Sequence, residues 1–413
     1  MLPAMKHLLC ILCIPAVILL GAEEAHTESV LADQDPTRSI MLFLAGDVML
    51  GRGIDQILLH PGDPVIHESC CKNARKYVRF AEQKNGPIPA PVSCSYVWGE
   101  ALKVLERVSP DLRIINLETS ITGSNDYWKS KGVHYKMNPP NINCLQAAKI
   151  DVCALANNHV LDWGYPGLRE TLETMDAAGI RGIGAGVRLK QAARPAVMRV
   201  AGKGRVLVFS YGVANSGIPP RWAASSTQEG VHFLNDLSSR SVNRVKQTLK
   251  QYARPGDILV VSIHWGGNWG YQIPTDQVRF AHELIDEAGV DLVHGHSSHH
   301  VKGIEVYRGK LILYGSGDFL NDYEGINHFR GLPKGAHKYY RGDLSLMYFA
   351  SVEPESGKLV QLLMTPTRMK RFRINLASQD EALWLKNRLN REGRMLGTTV
   401  NLNRVGELLL EWR

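Results

Sequence analysis

The sequence predicts an α/β fold, a layered sandwich of mostly parallel sheets flanked by helices. Two features predict it. Short, fully apolar, β-branched runs that read as buried strands alternate along the chain with amphipathic helical stretches. Nearly every such run ends in a polar residue, and in open α/β sheets ligands lie beyond the carboxyl ends of the strands. With 413 residues, 44% of them hydrophobic and 21% charged, the chain has material for a large globular domain.

The elements follow in order. Lys6 precedes an apolar stretch, Leu8 to Ala22, whose 15 residues fall short of the roughly 20 of a spanning helix. Residues 1–25 therefore read as a signal peptide or N-terminal anchor. The protein is expected to be exported: periplasmic, in the cell envelope, secreted, or held on the membrane by its N-terminus. Residues 38–375 read as the main domain and 376–413 as a helix-and-strand extension. Within the main domain, Ile40 to Ala45 is the first strand, and residues 55–94 are an insertion rich in Pro, Gly and Lys. A helix from Tyr96 to Val108 stops at Ser109-Pro110, and Leu112 to Leu117 is the next strand. Residues 122–140 read as an exposed loop carrying His134, Tyr135 and Lys136. A short helix (142–148), a strand (152–156) and a helix (168–178) follow. The second half repeats the alternation: strand 206–211, helix 237–252, strand 258–263, helix 275–288, and strands 290–293 and 311–314. In the tail, 380–396 is helical and 407–412 is a strand.

A net charge of +8 and a pI near 9.0 favour anionic partners. The Lys and Arg are scattered, with no basic run and no aromatic-interleaved stripe, which argues against nucleic acid. Of the cysteines, Cys94 is expected to bridge to Cys70 or Cys71 and close the insertion, while Cys144 and Cys153 sit in apolar contexts and read as core. No C-x-x-C pair lies outside the N-terminal segment, so a zinc–thiolate site is not expected.

The polar residues at strand ends carry the chemistry. Asp47, Glu118, Asn158, His159, His264 and His296 are hard oxygen or nitrogen ligand types gathered from distant segments. Several have a plain alternative: Asp47 as an N-cap, Glu118 as a carboxylate reaching solvent, His264 as a core histidine. Arg52 could clamp a phosphate or carboxylate, or be a surface arginine. Asp162, three residues after His159, could accept from its ring. His294, His296, His299 and His300 put four histidines in seven residues, as ligands, acid/base groups or anion contacts. Asp318 could reach the site from its rim or belong to a solvated acidic loop, and Lys136 is a candidate substrate contact.

The motifs GDVMLGR, NLETSIT, ANNHVLDWG, IHWGGNWGY, HGHSSHH and LYGSGDF, in this order, resemble the CapA family of poly-γ-glutamate capsule biosynthesis proteins. That family is similar in turn to the calcineurin-like metallophosphoesterases. The resemblance implies a metallophosphoesterase-like sandwich and one or two divalent ions of Mn, Fe, Zn or Mg. It assigns Asp47 to the first aspartate and Glu118 to the bridging position. Asn158-His159 takes the third motif, His264 the fourth, and His296 with His299 or His300 the last. Met49 stands where a ligand histidine is expected. The implied partners are an anionic polymer or a phosphorylated small substrate, and a membrane synthase complex. Three functional readings result. One is an exported protein acting in polyglutamate capsule or envelope-polymer assembly through a metal site. Another is a metal-dependent hydrolase of phosphoesters or peptide bonds, with His296 or His299 as acid/base. The third is a non-catalytic scaffold or export component.

Overall fold

The computed structural model describes residues 39–69, 71–326 and 339–413. The expected signal or anchor segment lies outside them, as does Cys70. Among the described residues no helix is long and apolar enough to cross a membrane.

The first sheet begins with β1 (Ile40–Val48), β2 (Leu112–Leu117), β3 (Val152–Ala154) and β4 (Arg181–Ile183), all parallel neighbours in that order. Helices α1 (Arg75–Asn85), α2 (Ala101–Val108) and α3 (Gly164–Ala177) lie within the connections between these strands. The second sheet is built on β5 (Gly204–Val213), β6 (Asp257–His264), β7 (Leu292–His296), β8 (Ile304–Tyr307) and β9 (Lys310–Leu313). Its spatial order is β5-β6-β7-β9-β8, parallel except for the β8–β9 hairpin and an edge strand, Ala196–Val200, antiparallel to β5. Helices α4 (Ser239–Lys250) and α5 (Thr275–Asp286) connect it. In α4 the apolar residues Val242, Val245 and Leu249 form one buried face, while α5 starts directly after Pro274, which is preset for a helix start.

The chain then returns to the first sheet. β10 (Asp318–Leu320) lies parallel to the end of β1, and β11 (Leu344–Val352) runs antiparallel to its beginning. β12 (Leu359–Met369), β13 (Thr398–Leu402) and β14 (Leu408–Trp412) extend this edge antiparallel, in the order β11-β12-β14-β13. Parallel strands thus carry the strand ends of interest, and antiparallel strands widen the sheet. Helix α6 (Gln379–Gly393) starts in a capping box between Ser378 and Glu381. Residues 376–413 therefore belong to the same sheet and the same compact unit as the rest of Ser39–Arg413.

Side-chain alternation makes the layers. In β1, Ile40, Leu42 and Leu44 pack against Val206 and Val208 of β5 and Val260 of β6 between the sheets. Phe43 and Ala45 point the other way, into the core beneath α1 to α3. Leu207 and Phe209 of β5 likewise face α4 and α5. The result is a helix–sheet–sheet–helix sandwich.

Two expectations need correction. Cys94 pairs with Cys144, not with Cys71, which is buried. The bridge joins two short helices, Cys94–Trp98 and Asn143–Ala147, which pack together. The insertion at 55–94 contains the three-turn helix α1. His134, Tyr135 and Lys136 are buried, because Lys136–Met137 pairs in parallel with Ser120–Ile121 and draws the loop inward.

Candidate metal centre

β1 presents Asp47. Gly46 approaches the returning chain so closely that a Cβ would lie 1.8 Å from the Gly317 carbonyl oxygen, so only glycine fits. The register shifts between Ala45 and Asp47, a bulge that re-aims the buried carboxylate. Asp47 Oδ1 accepts from Asn116 Nδ2 at 2.7 Å, and Oδ2 has no hydrogen-bond partner. Burial, followed by the nearby Asp318, pushes this carboxyl up to about 7.

Glu118 follows β2. Its Oε1 stands 3.9 Å from His159 Nε2 and 4.0 Å from His264 Nε2, and its Oε2 is buried without a partner. Burial first and Asp47 second hold its carboxyl well above the usual range.

The turn after β3 is shaped by Asn157. Its Nδ2 donates to Asn116 Oδ1 and the Leu117 carbonyl at 3.1 and 2.8 Å. Its Oδ1 accepts from the backbone N–H of His159 and Val160 at 3.0 and 3.1 Å. Asn158 is left with a buried, unpartnered Oδ1. His159 stacks on Tyr135 with ring centres 3.9 Å apart, and its Nδ1 lies 2.6 Å from Asp162 Oδ2. A carboxylate only accepts, so Nδ1 carries the proton and Nε2 faces Glu118 as a lone pair. Burial lowers the His159 pKa to about 4, so the ring is neutral near pH 7. Asp162 also accepts from the Tyr135 backbone N–H at 2.7 Å and from Lys131 Nζ. Burial pushes the Asp162 carboxyl up, but His159 and Lys131 together hold it below the usual range.

His264 ends β6, in register with His296 on β7. It is fully buried, its Nδ1 lies 2.8 Å from His296 Nδ1, and its Nε2 has no partner. Burial holds its pKa well below the ordinary value. His299 comes in from the loop after β7. Its Nδ1 lies 2.9 Å from Asp318 Oδ1 and its Nε2 2.8 Å from Asn268 Nδ2. Burial alone would lower its pKa, but Asp318 more than offsets this. The ligand atoms of Asp47, His299 and Asp318 lie within 4.8 Å of one another, as do those of Asp47, His264 and His296.

Four ligand-type atoms are thus buried without a partner: Asp47 Oδ2, Glu118 Oε2, Asn158 Oδ1 and His264 Nε2. They come from positions at or after the ends of β1, β2, β3 and β6. Leaving such atoms unpaired is costly, and a divalent cation among carboxylate, amide and neutral imidazole donors would satisfy them. The residues present fit such an ion. Beside Asp318 a cleft of about 380 Å³ opens, lined by Trp269, Tyr323, Asn321, Lys84 and Arg368 among others.

Other expected residues sit elsewhere. Arg52 donates from Nε to Asp322 Oδ2 at 2.8 Å, from Nη2 to Asp322 Oδ1, and from Nη1 to Glu68 Oε1 at 3.0 Å. Its guanidinium lies 3.6 Å from the Tyr77 ring centre. With three nitrogens on two buried carboxylates, Arg52 is a structural bridge and not the expected catalytic anion clamp. Lys136 Nζ donates to Ser124 O and Asn125 Oδ1 and lies over the Trp163 ring, so it is spent inside the loop. His300 is bonded to the Val301 carbonyl and the Gly270 N–H and packs against Tyr271, so His299 is the second histidine of the last motif to reach the centre. His294 lies between the sheets, its Nε2 2.9 Å from the Ala45 carbonyl. Lys131, Asn116, Asn157, Asn268 and Ser262 were not singled out from sequence; only the doubled asparagine at 157–158 offered a signal.

Fold and site define an α/β sandwich protein with a cluster of metal-ligand residues at the strand ends. Residues 41–323 match the family described as bacterial capsule synthesis protein PGA_cap, and the chain belongs to that family. It is 47% identical over 362 residues, 87% of this chain and 93% of the other, to a protein of Mycobacterium tuberculosis named a probable polyglutamine synthesis accessory protein. It is 22% identical over 320 residues, 77% of this chain and 69% of the other, to the capsule biosynthesis protein CapA of Bacillus anthracis. Among solved structures, it aligns with a phosphatase of Mycoplasma pneumoniae over 79% of this chain and 93% of that one, at 9% identity and a TM-score of 0.42.

Proposed function

We propose that this chain is an exported accessory protein of poly-γ-glutamate or related envelope-polymer synthesis, acting through a divalent metal centre. The observation that carries the metal reading is four buried, unpartnered ligand atoms at or after successive strand ends, on Asp47, Glu118, Asn158 and His264. Glu118, Asn158, His159 and His264 would hold one ion, and Asp47, His299 and Asp318 a second. The family and the names of its relatives support the polymer context; the apolar Leu8 to Ala22 stretch supports export. The net charge of +8 suits an anionic polymer or phosphorylated substrate, and a membrane synthase complex is the natural partner of an accessory protein.

A bound ion would act as a Lewis acid toward a phosphoryl or acyl oxygen. With a single ion held on the Glu118 side, His299, hydrogen-bonded to Asp318, would be the group left to hold or move a proton there. Elemental analysis of the full chain purified without chelator is expected to give one or two Mn, Fe, Zn or Mg per chain, with loss in His159→Ala. Turnover of a simple phosphodiester or γ-glutamyl peptide is expected to vanish with it. Wild-type protein without stoichiometric metal would overturn the reading.

A second reading, binding without turnover, is supported by Met49 and Arg52. Met49 is buried and apolar where the related phosphoesterases are expected to carry a histidine, and the Arg52 guanidinium is engaged by Asp322 and Glu68. Metal content with no turnover of either substrate would select it.

A further inference from the structure

The Lys and Arg of this chain are scattered, but its acids leave a gap. From residue 177 to residue 228 there is no Asp or Glu, while Lys or Arg stands at eight positions: 181, 188, 190, 194, 199, 203, 205 and 221. Taken from the 48 basic residues, these eight leave 40, equal to the 40 acidic ones, so this stretch carries the whole net charge of +8. Three of the eight are engaged locally. Lys203 donates to Asp111 Oδ2 and Arg205 to Asp257 Oδ2, each at 2.8 Å. Arg221 donates to Ser130 and lies over the Trp128 ring. The other five, Arg181, Arg188, Lys190, Arg194 and Arg199, are exposed, and none forms an ion pair among the described residues.

The five lie about one groove. β4 pairs on one side only, with β3, and closes the first sheet. The strand Ala196–Val200 pairs only with β5 and closes the second sheet on the same flank. Between these two edges and α3 runs a groove of about 510 Å³, and none of the proposed metal ligands lines it. Arg181 and Arg194 line it, Arg188 and Lys190 lie in the segment joining them, and Arg199 follows on the edge strand. Unpaired cations so placed attract a run of negative charges. The open edges add a second requirement, because a strand without a neighbour presents backbone N–H and C=O groups to an extended chain that has amides of its own. Val187 and Val197, 38% and 45% exposed, give the groove apolar surface as well. The α3 wall carries Glu173 and Asp176, which turns a polyanion toward the edge strands. A lipid surface offers no amide chain to pair with an edge and does not fill a concave groove.

Resting on the polymer reading above for the identity of the ligand, we propose that this groove is a binding site, apart from the metal centre, for an extended polyamide with a carboxylate on each unit, as in poly-γ-glutamate. The carboxylates meet the five cations, the amides pair with the open edges, and the methylenes lie on Val187 and Val197. The site holds the polymer without occupying the metal centre.

Fluorescence anisotropy of end-labelled poly-γ-glutamate with the full chain, in a salt series, tests this. Wild-type protein is expected to bind, and to bind more weakly as salt rises. The variant Arg181→Gln/Arg194→Gln/Arg199→Gln is expected to lose at least about tenfold in affinity and to show a shallower salt dependence. A control variant, Lys103→Gln/Lys250→Gln/Arg404→Gln, removes the same charge from exposed positions on α2, at the end of α4 and in the β13–β14 turn, and is expected to keep wild-type affinity. Equal losses in the two variants would mean attraction to net charge alone and would overturn the site. Sedimentation with phosphatidylglycerol vesicles is the second arm: vesicle binding lost in the groove variant, with polymer binding intact, would give this face to a membrane and overturn the proposal. Metal content is measured on the same preparations. A wild-type chain that carries metal and binds no polymer would overturn the groove site alone, whereas a metal-free wild type that binds polymer through the groove would defeat the metal reading and leave this site standing.

Discussion

Asp318 faces Asp47: the two aspartates are paired in parallel register where β10 meets the end of β1, and both are buried. Two adjacent buried carboxylates repel, and here the repulsion contributes to the raised Asp47 pKa. A cation between them would turn the cost into a ligand pair. The family resemblance left the first position one histidine short at Met49; the structure supplies a carboxylate there from a strand far along the chain.

Asp318→Asn removes that like charge and a proposed ligand together. The Asp47 carboxyl is expected to fall back toward the usual range, while affinity for Mn²⁺ drops at least about tenfold, the low end of what ligand-shell losses cost. Calorimetric titration of chelator-treated protein with Mn²⁺ measures this. Undiminished affinity would exclude Asp318 from the centre.

Asp162→Asn tests the support of His159. The amide keeps the shape of the turn but no longer obliges Nδ1 to be the protonated nitrogen, so affinity is expected to fall about 10- to 100-fold. His159→Ala should lose more. Competition against a chromogenic chelator ranks the two variants, and the reverse ranking would place His159 outside the ligand set.

The strand ends were legible because buried parallel strands are continuous apolar runs, against which Asp47, Glu118 and His264 stand out. What was not legible depends on contacts between segments. Asp318 reads as one acidic residue in a loop until β10 folds back beside β1. The pairing of Ser120–Ile121 with Lys136–Met137 is two residues long, too short for any periodicity, yet it buries His134 to Lys136. Cys94 meets Cys144 through the packing of two five-residue helices, which spacing does not encode. The strand β13 reads TTVNL, polar at most positions, and only its pairing with β14 reveals it.

Arg52→Ala separates a structural bridge from a substrate clamp. Removing the guanidinium leaves Asp322 and Glu68 buried without their cation, which is expected to cost about 3–5 kcal/mol in urea unfolding. Arg52→Lys should recover only part of this, since an ammonium cannot bond Asp322 through two nitrogens at once. Metal affinity of the folded variants is expected to stay at the wild-type level. A variant of wild-type stability with impaired substrate handling would restore the clamp reading.

Metal-free protein is expected to be acid-labile. Burial lowers the pKa of His159 and His294 to about 4 and of His232 and His300 to about 3, against an ordinary 6.5. Between those values the unfolded chain binds more protons, so the stability these four supply is full above about pH 6.5 and is lost as pH falls, up to about 3 kcal/mol each for the first two. Asp47 and Glu118 act in the opposite sense. Their raised pKa values make the folded state the better proton binder, from about pH 4 up to about 7 for Asp47. His299, raised by Asp318, also stabilises below 6.5 and loses that contribution as pH rises through its folded pKa. His264 and His296, also held well below the ordinary value by burial, lose stability in the same direction, so the expected net effect is a loss toward acid. Calorimetric Tm of chelator-treated protein is expected to be lower at about pH 5 than at about pH 7.5. The gap should widen after Mn²⁺ loading, because ligands must be unprotonated to hold the ion. A metal-free Tm as high at about pH 5 as at about pH 7.5 would mean that these histidines are not held neutral by burial.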